Sequence, residues 1–193
     1  MKLIRTKFNK LFIIKNKNNY DRRGFLKEIF SKSKVKFNTV FQYFSVSKKN
    51  VFRGLHFQLP QQSKLITVVK GEIIDYCLDL RKNSKTFKKI FKTRLSDRTY
   101  SSIIIPKGIA HGFYTISDEA ILIYNNNYHR SAKEYGINAL DKEIGIKLNS
   151  NAIISKKDKK NLYLKEFLNI YKTLWEKFIM EKQIMEMKKL KQP

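Results

Sequence analysis

The sequence predicts a mainly β protein, a sandwich or barrel, with a helical segment at its C-terminal end. Between about residues 40 and 125, short runs rich in Val, Ile, Phe and Tyr alternate with turn signals such as Lys70-Gly71. Many short strands at close spacing are typical of sandwiches and barrels. From about Lys159 onward, apolar residues recur at three- and four-residue steps, which is the period of a helix. We therefore predict a β domain over 1–158 and a helical extension over 159–193.

The strands are predicted from apolar runs bounded by turn residues. Asp75 and Asp79 are an even number of residues apart in one such run, so their side chains share a face of the strand. We expect that face to be solvated. The predicted strands are Val40–Val46, Leu65–Val69, Glu72–Leu80, Phe87–Leu95, Ser101–Ile105 and Ala120–Tyr124.

The C-terminal segment carries one apolar stripe, and lysines fill much of its other face. Such a stripe indicates a helix that packs on its own domain or on a neighbouring subunit. A helix lying on a membrane surface is the alternative. The stripe consists of Leu164, Phe167, Leu168, Tyr171, Leu174, Trp175, Phe178 and Ile179.

The composition excludes several classes of protein. The 193 residues are 42% hydrophobic, which is enough for a core and rules out wholesale disorder. The single cysteine, Cys77, excludes a disulfide framework and a cysteine-based zinc finger. No apolar run reaches the ~20 residues that span a bilayer, and Met1 to Arg5 precede no signal-peptide core. These features predict a cytoplasmic protein without a membrane span.

The charge balance is strongly basic, with 41 Lys and Arg against 16 Asp and Glu, a net charge of +25. This surplus is compatible with nucleic acid, an acidic membrane surface or a small anionic ligand. The lysines are scattered, however, and no nucleic-acid-binding motif is present. We therefore interpret the charge as compositional drift combined with a small anionic substrate, and we expect no nucleic-acid partner.

Polar residues that interrupt strand-like sequence mark a candidate site. Arg53, His56 and Gln58 occur in Arg53-Gly54-Leu55-His56-Phe57-Gln58, and Lys64 follows. In an ideal strand Arg53 does not share the face of His56, but a bend at Gly54 changes that. An arginine, a histidine and a lysine together predict an anion site containing a titratable base. The turn residues Pro106 and Gly108 precede His111, so we expect His111 near the start of another strand.

These segments resemble a known family. Pro106-x-Gly108-x-x-His111 matches the second half of the cupin signature, and the whole pattern resembles the dTDP-4-dehydrorhamnose 3,5-epimerase family. The resemblance covers about residues 11 to 160 and implies a cupin-type jelly roll. The matching segments are Asp21-Arg22-Arg23-Gly24-Phe25, Arg53 to Gln58, Pro106 to Phe113, Ile137-Asn138-Ala139-Leu140-Asp141 and Ile154-Ser155-Lys156-Lys157-Asp158.

The resemblance implies an isomerase of deoxysugar biosynthesis for surface polysaccharide. The substrate of the family is a nucleotide-diphosphate-linked 4-keto-6-deoxy sugar, whose C4 ketone acidifies the protons at C3 and C5. A base removes one proton, an enolate forms, and an acid returns a proton to the opposite face. No metal and no other cofactor is implied. The family forms homodimers by exchanging N-terminal strand material.

The resemblance also implies the catalytic roles. His56 is the base, and Asp158 orients its imidazole and stabilises the imidazolium. Tyr124 is the proton donor on the other face of the sugar. Lys64 favours negative charge on the C4 oxygen.

Substrate-binding roles follow in the same way. Arg53 and Arg23 hold the diphosphate, since the paired donors of a guanidinium suit phosphate. Tyr128 or His129 stacks on the nucleotide base, in this family often from the other subunit. The remaining implied substrate contacts are Glu28, Gln58, His111, Glu134 and Lys157.

The chain departs from the family pattern near the nucleotide and sugar regions. Phe41 and Tyr43 occupy positions at which the family usually has a glutamine and an asparagine. We therefore keep epimerisation at only C3 or only C5, ketoisomerisation, and sugar-nucleotide binding without catalysis as alternatives. A metal-dependent cupin is a further alternative, for which His56, His111 and Glu72 supply a poor ligand set.

Overall fold

Two antiparallel sheets face each other in the computed structural model, which describes residues 1–59, 61–129 and 134–174. This arrangement confirms the predicted β-sandwich. In chain order the elements are β1 (Lys2–Arg5), β2 (Phe12–Lys15), β3 (Asn18–Asp21), β4 (Gly24–Lys27), β5 (Phe41–Lys48), β6 (Val51–Gln58), β7 (Lys64–Lys70), β8 (Glu72–Asp79), β9 (Ile90–Ser96), β10 (Tyr100–Ile105), β11 (Ile109–Thr115), β12 (Glu119–Asn126), β13 (Glu134–Gly136), β14 (Ile153–Ile154), α1 (Lys156–Lys159) and α2 (164–174).

The strand order brings residues distant in sequence to neighbouring positions. The first sheet has the order β1-β2-β10-β7-β12-β5, so β12 lies between β7 and the edge strand β5. The second sheet has the order β13-β6-β11-β8-β9, and β14 pairs in parallel with β6. Strands β3 and β4 form a separate two-stranded hairpin.

The core lies between the two sheets and follows the alternation of side chains along each strand. Val68 and Leu122 of the first sheet belong to one buried cluster with Ile73, Cys77 and Phe113 of the second. Cys77 is fully buried. Burial raises the pKa of its thiol well above the ordinary value, so the side chain is part of the apolar core rather than a nucleophile.

The outer face of the second sheet is covered by the chain that follows β13. Phe167 and Tyr171 of α2 are buried, and both rings pack edge-on against Phe57 of β6. Leu168 and Leu174 pack against the same cluster. The predicted packing of the helical stripe on its own domain is thus confirmed for its described members. Trp175, Phe178 and Ile179 lie outside the described residues.

The division of the chain after residue 158 stays a prediction. Leu164 of α2 is buried in the same hydrophobic cluster as Phe52 and Leu55 of β6. The described part of the extension therefore shares a core with the β domain. Within the described ranges, no helix has the length and apolarity needed to cross a membrane.

The prediction that Asp75 and Asp79 lie on a solvated face was wrong. Both carboxylates are fully buried. Each has buried or half-buried partners from elsewhere in the chain, which a strand pattern alone does not reveal. Asp79 accepts hydrogen bonds from Arg81 Nη2 at 2.7 Å and from Thr86 Oγ1 at 2.6 Å. This network folds residues 81–89 into turns, so β9 begins at Ile90 rather than at Phe87 as predicted.

Candidate active site

A cavity lies between the two sheets. Strands β5, β7 and β12 contribute side chains from the first sheet, and β6, β11 and β13 contribute side chains from the second. The cavity therefore has two opposed walls that carry different polar groups. Its lining consists of Phe41, Tyr43, Ser45, Arg53, His56, Gln58, Gln62, Lys64, His111, Phe113, Tyr124, Asn126 and Glu134.

The second sheet places Arg53 and His56 in one cavity although they are three residues apart in β6. The register between β6 and β11 shifts between the pairs His111–His56 and Phe113–Arg53, so side-chain alternation is interrupted there. Gly54 allows this irregularity. Its φ is +125°, and a Cβ at this position would lie 2.6 Å from the Cα of Gly112. The bend at Gly54 is therefore built on close contact between two backbones.

His56 and Asp158 form a hydrogen-bonded pair. His56 Nε2 lies 2.9 Å from Asp158 Oδ1, and the carboxylate is 5% exposed. Asp158 is held in α1, where Ser155 Oγ caps the helix by accepting a hydrogen bond from Asp158 N at 3.0 Å. With Nε2–H donating to the carboxylate, Nδ1 is the ring nitrogen that can accept a proton. The arrangement is that of a base with an orienting carboxylate.

The pKa of Asp158 reflects two opposing influences. Burial disfavours the carboxylate, but the hydrogen bond from His56 and the charge of that ring favour it more. As a result, the pKa of Asp158 lies below its ordinary value. The carboxylate therefore stays ionised at neutral pH and can stabilise an imidazolium at His56.

Tyr124 lies on the opposite wall, in β12. Its hydroxyl is 3.3 Å from Ser45 Oγ, and its ring stacks on Tyr43 with centroids 4.5 Å apart and planes 9° from parallel. Burial raises the pKa of the phenol well above the ordinary value, and the Ser45 contact opposes this only in part. A phenol held in this state remains protonated and can act only as an acid in its resting form.

Lys64 of β7 supplies a buried cation on the wall that carries Tyr124. Its pKa is lowered by burial, while the negative charges of Glu134 and Asp75 act in the opposite direction. The side chain lines the cavity and is 9% exposed. An ammonium in such a site interacts strongly with any negative charge that develops on a bound molecule.

His111 forms a second, deeper pair with Asp75. His111 lies opposite His56 in the register, and its Nε2 is 2.6 Å from Asp75 Oδ2. The Cys77 thiol also donates to Asp75, at 3.4 Å from Oδ1. The carboxylate thereby fixes the orientation of the His111 ring at the cavity wall.

Besides His111, four predicted substrate contacts lie at or beside the cavity: Arg53, Gln58, Glu134 and Lys157. Arg53 donates to Ser47 Oγ at 2.8 Å and to the Val46 carbonyl at 3.1 Å, and its side chain is exposed. Gln58 Nε2 donates to Glu134 Oε1 at 3.4 Å. Lys157 is not part of the cavity lining, but its Nζ donates to Glu134 Oε2 at 2.9 Å. Burial opposes ionisation of Glu134, yet Lys157 and His56 bring its pKa below the ordinary value.

Besides Lys157, four predicted substrate contacts are not part of the cavity lining in the single chain. Arg23 is exposed beside the β3–β4 hairpin and pairs with Asp21, and Glu28 is exposed and pairs with Lys34. Tyr128 is 46% exposed. The carbonyls of Tyr128 and His129 accept hydrogen bonds from Gln62 Nε2 at 3.0 and 2.7 Å.

The lining includes residues that the sequence did not single out, among them Ser45, Gln62 and Asn126. The period-two alternation of strands offered a signal for two of them, because Ser45 shares a face with Tyr43, and Asn126 shares one with Tyr124. The metal-ligand set of the alternative hypothesis does not converge. Glu72 is the first residue of β8, and its carboxylate binds Arg94. His111 lies opposite Cys77 in the strand register, five residues farther along β8.

Comparison with known proteins identifies the family. The family model described as dTDP-4-dehydrorhamnose 3,5-epimerase matches residues 5–166. The enzyme of that name from Shigella flexneri is 39% identical over 170 residues, covering 82% of this chain and 93% of that protein. The enzyme from Escherichia coli (strain K12) is 35% identical over 183 residues, covering 88% and 98%.

A solved structure gives the same result. The dTDP-6-deoxy-D-glucose-3,5-epimerase of Legionella pneumophila Philadelphia 1, in complex with dTDP-4-keto-L-rhamnose, aligns with a TM-score of 0.79 at 35% identity. The alignment covers 85% of this chain and 93% of that one. Together with the sequence matches, this shows that the chain belongs to the dTDP-4-dehydrorhamnose 3,5-epimerase family.

Proposed function

We propose that the protein epimerises a dTDP-linked 4-keto-6-deoxy sugar at C3 and C5, with His56 as base and Tyr124 as acid. The observation that carries this proposal is the placement of the two groups on opposite walls of one cavity. Inversion of a carbon requires that a proton leave one face and arrive on the other. A single group on one wall could exchange a proton but could not invert the centre.

In the first step, His56 takes the proton from a carbon next to the C4 ketone. The electron pair of the broken C–H bond moves into the ring, and the ketone oxygen becomes an enolate oxygen. Asp158, 2.9 Å from the ring, stabilises the imidazolium that forms. The buried Lys64 ammonium stabilises the negative oxygen, because a cation of low solvent exposure interacts strongly with developing charge.

In the second step, Tyr124 gives its proton to the same carbon from the opposite side. The enolate returns to a ketone, and the phenol is left as a phenolate that regains its proton from solvent. The His56 imidazolium releases the abstracted proton to solvent, which restores both groups for the next cycle. Burial raises the pKa of Tyr124, which makes the phenolate costly and the regain of a proton favourable. The stack on Tyr43 fixes the plane of the ring. No redox change occurs in either step.

The remaining contacts position the substrate. Arg53 is exposed at the cavity and has guanidinium donors suited to the diphosphate. His111, held by Asp75, presents a fixed ring to the sugar or the diphosphate. Gln58 and Glu134 lie on the same wall, and Lys157 neutralises Glu134 from outside.

A homodimer accounts for the residues that lie outside the cavity. Arg23 lies in the turn of the β3–β4 hairpin and Glu28 directly follows it. This hairpin has exposed apolar side chains, namely Tyr20 at 70%, Phe25 at 50% and Leu26 at 69%. In a dimer this hairpin would be covered and its charged residues brought to the other cavity. The proposal includes this assembly and a cytoplasmic location. The measured mass in solution tests the assembly.

The function is tested by incubation with dTDP-4-keto-6-deoxyglucose in heavy water, followed by NMR. We expect deuterium at C3 and C5 and inverted products. Deuterium at only one carbon would indicate a mono-epimerase, and a 3-keto product would indicate a ketoisomerase. Absence of exchange would refute the proposed substrate. Deuterium exchange at the wild-type rate in a folded His56→Ala variant would refute the assigned base. Inversion at the wild-type rate in a folded Tyr124→Phe variant would refute the assigned acid.

A further inference from the structure

Asn126 presents an unexplained amide to the cavity. The residue is 1% exposed and lines the cavity between the sheets. Within the described residues, neither its side-chain nitrogen nor its side-chain oxygen has a hydrogen-bond partner. Burial of an unpaired amide costs free energy, and native structures rarely retain both atoms in that state. An amide at the cavity wall that has no partner within the described residues is expected to find one on a bound molecule.

The strand register places this amide beside the cation of the site. Asn126 is opposite Lys64 of β7 and opposite Phe41 of β5. It shares a strand face with Tyr124, since the two are separated by one residue in β12. The phenyl ring of Phe41 offers no polar group. Lys64 and Asn126 therefore form adjacent polar positions on the wall that carries the proton donor.

The chemistry of the amide selects its ligand group. A carboxamide with both atoms free can donate one hydrogen bond and accept another, which matches a hydroxyl that does the same. A carboxylate or phosphate would satisfy the nitrogen alone. Next to C4 of a 4-keto-6-deoxy sugar, C3 carries a hydroxyl, whereas C5 carries the methyl group and the ring oxygen. With Lys64 at the C4 oxygen, the neighbouring polar group of the sugar is the C3 hydroxyl.

We propose that Asn126 binds the C3 hydroxyl of the sugar and makes it a requirement for tight binding, an inference that rests on the proposed function. Loss of the C3 proton makes C3 and C4 coplanar with their two oxygens. Adjacent donors from Lys64 and Asn126 would hold these oxygens side by side in that plane. Asn126 would thus select for the hydroxyl and orient the reacting carbon between the two walls.

The test is a comparison of two nonreactive ligands, dTDP-6-deoxy-D-glucose and dTDP-3,6-dideoxy-D-glucose, which differ only in the C3 hydroxyl. Neither has a ketone, so calorimetry measures binding without turnover. We expect the wild-type protein to favour the hydroxylated ligand roughly tenfold, the effect of one hydrogen bond made by a buried group. In Asn126→Leu, which keeps the branching and the number of side-chain heavy atoms and removes both polar atoms, we expect less than about a twofold preference.

Asn125→Leu is the matched control. Asn125 is the preceding residue of β12, faces the opposite side of the sheet, and accepts a hydrogen bond from Gln42 at 2.8 Å. This variant should retain the wild-type preference. Equal loss of preference in both variants, or a wild-type protein that does not discriminate, would overturn the proposal.

The melting temperature of Asn126→Leu is a second readout. A ligand-binding amide and a structural amide predict changes of opposite sign in it. Removal of an unpaired buried amide should raise the melting temperature of Asn126→Leu, whereas removal of a hidden structural hydrogen bond should lower it. A lower melting temperature with an unchanged ligand preference would also overturn the proposal. Failure of the proposed function looks different, because the wild-type protein would then incorporate no deuterium.

Discussion

Replacement of Asp158 by asparagine tests how much the buried carboxylate contributes to proton abstraction. The substitution keeps the size of the side chain and removes its charge. His56 lies 2.9 Å from Asp158 Oδ1, and the Asp158 side chain is 6% exposed. The variant therefore leaves the imidazolium without its counter-charge in the state that follows proton abstraction. Ground-state binding of the nucleotide sugar should change much less.

The magnitude follows from the separation of the charges and from solvent exposure. Two unit charges about 4 Å apart interact by about 4 kcal/mol at an effective dielectric constant of about 20. The His56 side chain is 27% exposed, so solvent screens part of this interaction. About 2–3 kcal/mol then remains, which corresponds to a rate loss of roughly 30- to 160-fold.

The assay is the initial rate of deuterium uptake at C3 and C5, measured by NMR at saturating substrate. Because the pKa of Asp158 lies below its ordinary value, the carboxylate is ionised throughout the neutral range. At the neutral pH of the assay the wild-type side chain therefore carries its negative charge, whereas the asparagine of the variant does not. Asp118→Asn is the control, since this carboxylate pairs with Lys49 on the surface and its side chain is 94% exposed. A folded Asp158→Asn protein with a rate within threefold of wild type would refute the reasoning.

Three further predictions concern stability and are checked by thermal unfolding. Lys64→Met should lower the exchange rate but raise Tm by roughly 2–4 °C, about 1 kcal/mol, because it removes a buried ammonium. The gain should vanish above about pH 10.5, where the unfolded chain is also neutral; a loss of stability at neutral pH would contradict this. Asp79→Asn should cost about 3 kcal/mol, since Asp79 is fully buried and paired with Arg81. Burial raises the pKa of Asp79, but hydrogen bonds from Arg81, Thr86 and Ser84 lower it more, so the pKa lies below its ordinary value. Its contribution is therefore present above pH 4 and lost as pH falls through the folded pKa, so a pH-independent difference would count against it. Gly54→Ala should cost more than about 3 kcal/mol, because its Cβ would lie 2.6 Å from Gly112 Cα; Gly145→Ala, in open space at φ +71°, should cost only about 1 kcal/mol. Equal costs at the two glycines would contradict the role of close backbone contact.

The sequence predicted the sandwich because the central strands alternate or run apolar between clear turns. The N-terminal strands β1 to β4 were not predicted, since each has only four residues, too few to show a clear alternation. β1 pairs with β2 and β3 pairs with β4, whereas the pairing of β2 with β10 joins residues distant in sequence. The predicted strand boundaries were wrong where side-chain hydrogen bonds hold the backbone in a turn. Asp79, for example, accepts hydrogen bonds from Ser84 and Thr86 in the turn before β9.

In the candidate site, too, residues in local sequence motifs were predicted, whereas residues whose roles depend on contacts distant in sequence were not. His56, Lys64 and Tyr124 were identified through family motifs, and all three line one cavity. Asp75 was misjudged because its partner, His111, is 36 positions away in sequence, and only the pairing of β8 with β11 brings them together. Asn126 was overlooked because its importance depends on the absence of partners, which no sequence pattern expresses.

The location of Asp158 has a consequence for biosynthesis of the protein. Its helix α1 belongs to the C-terminal layer that covers the back of the second sheet, whereas His56 belongs to that sheet itself. Translation delivers the strands of the sandwich first, and N-terminal parts of a chain begin to fold while the remainder is still emerging from the ribosome. Until residues 156–159 have been synthesised, His56 therefore has no carboxylate partner in Asp158. Under the proposed mechanism, the protein can transfer protons at its full rate only after α1 has packed against the second sheet. Catalytic activity therefore indicates that folding is complete.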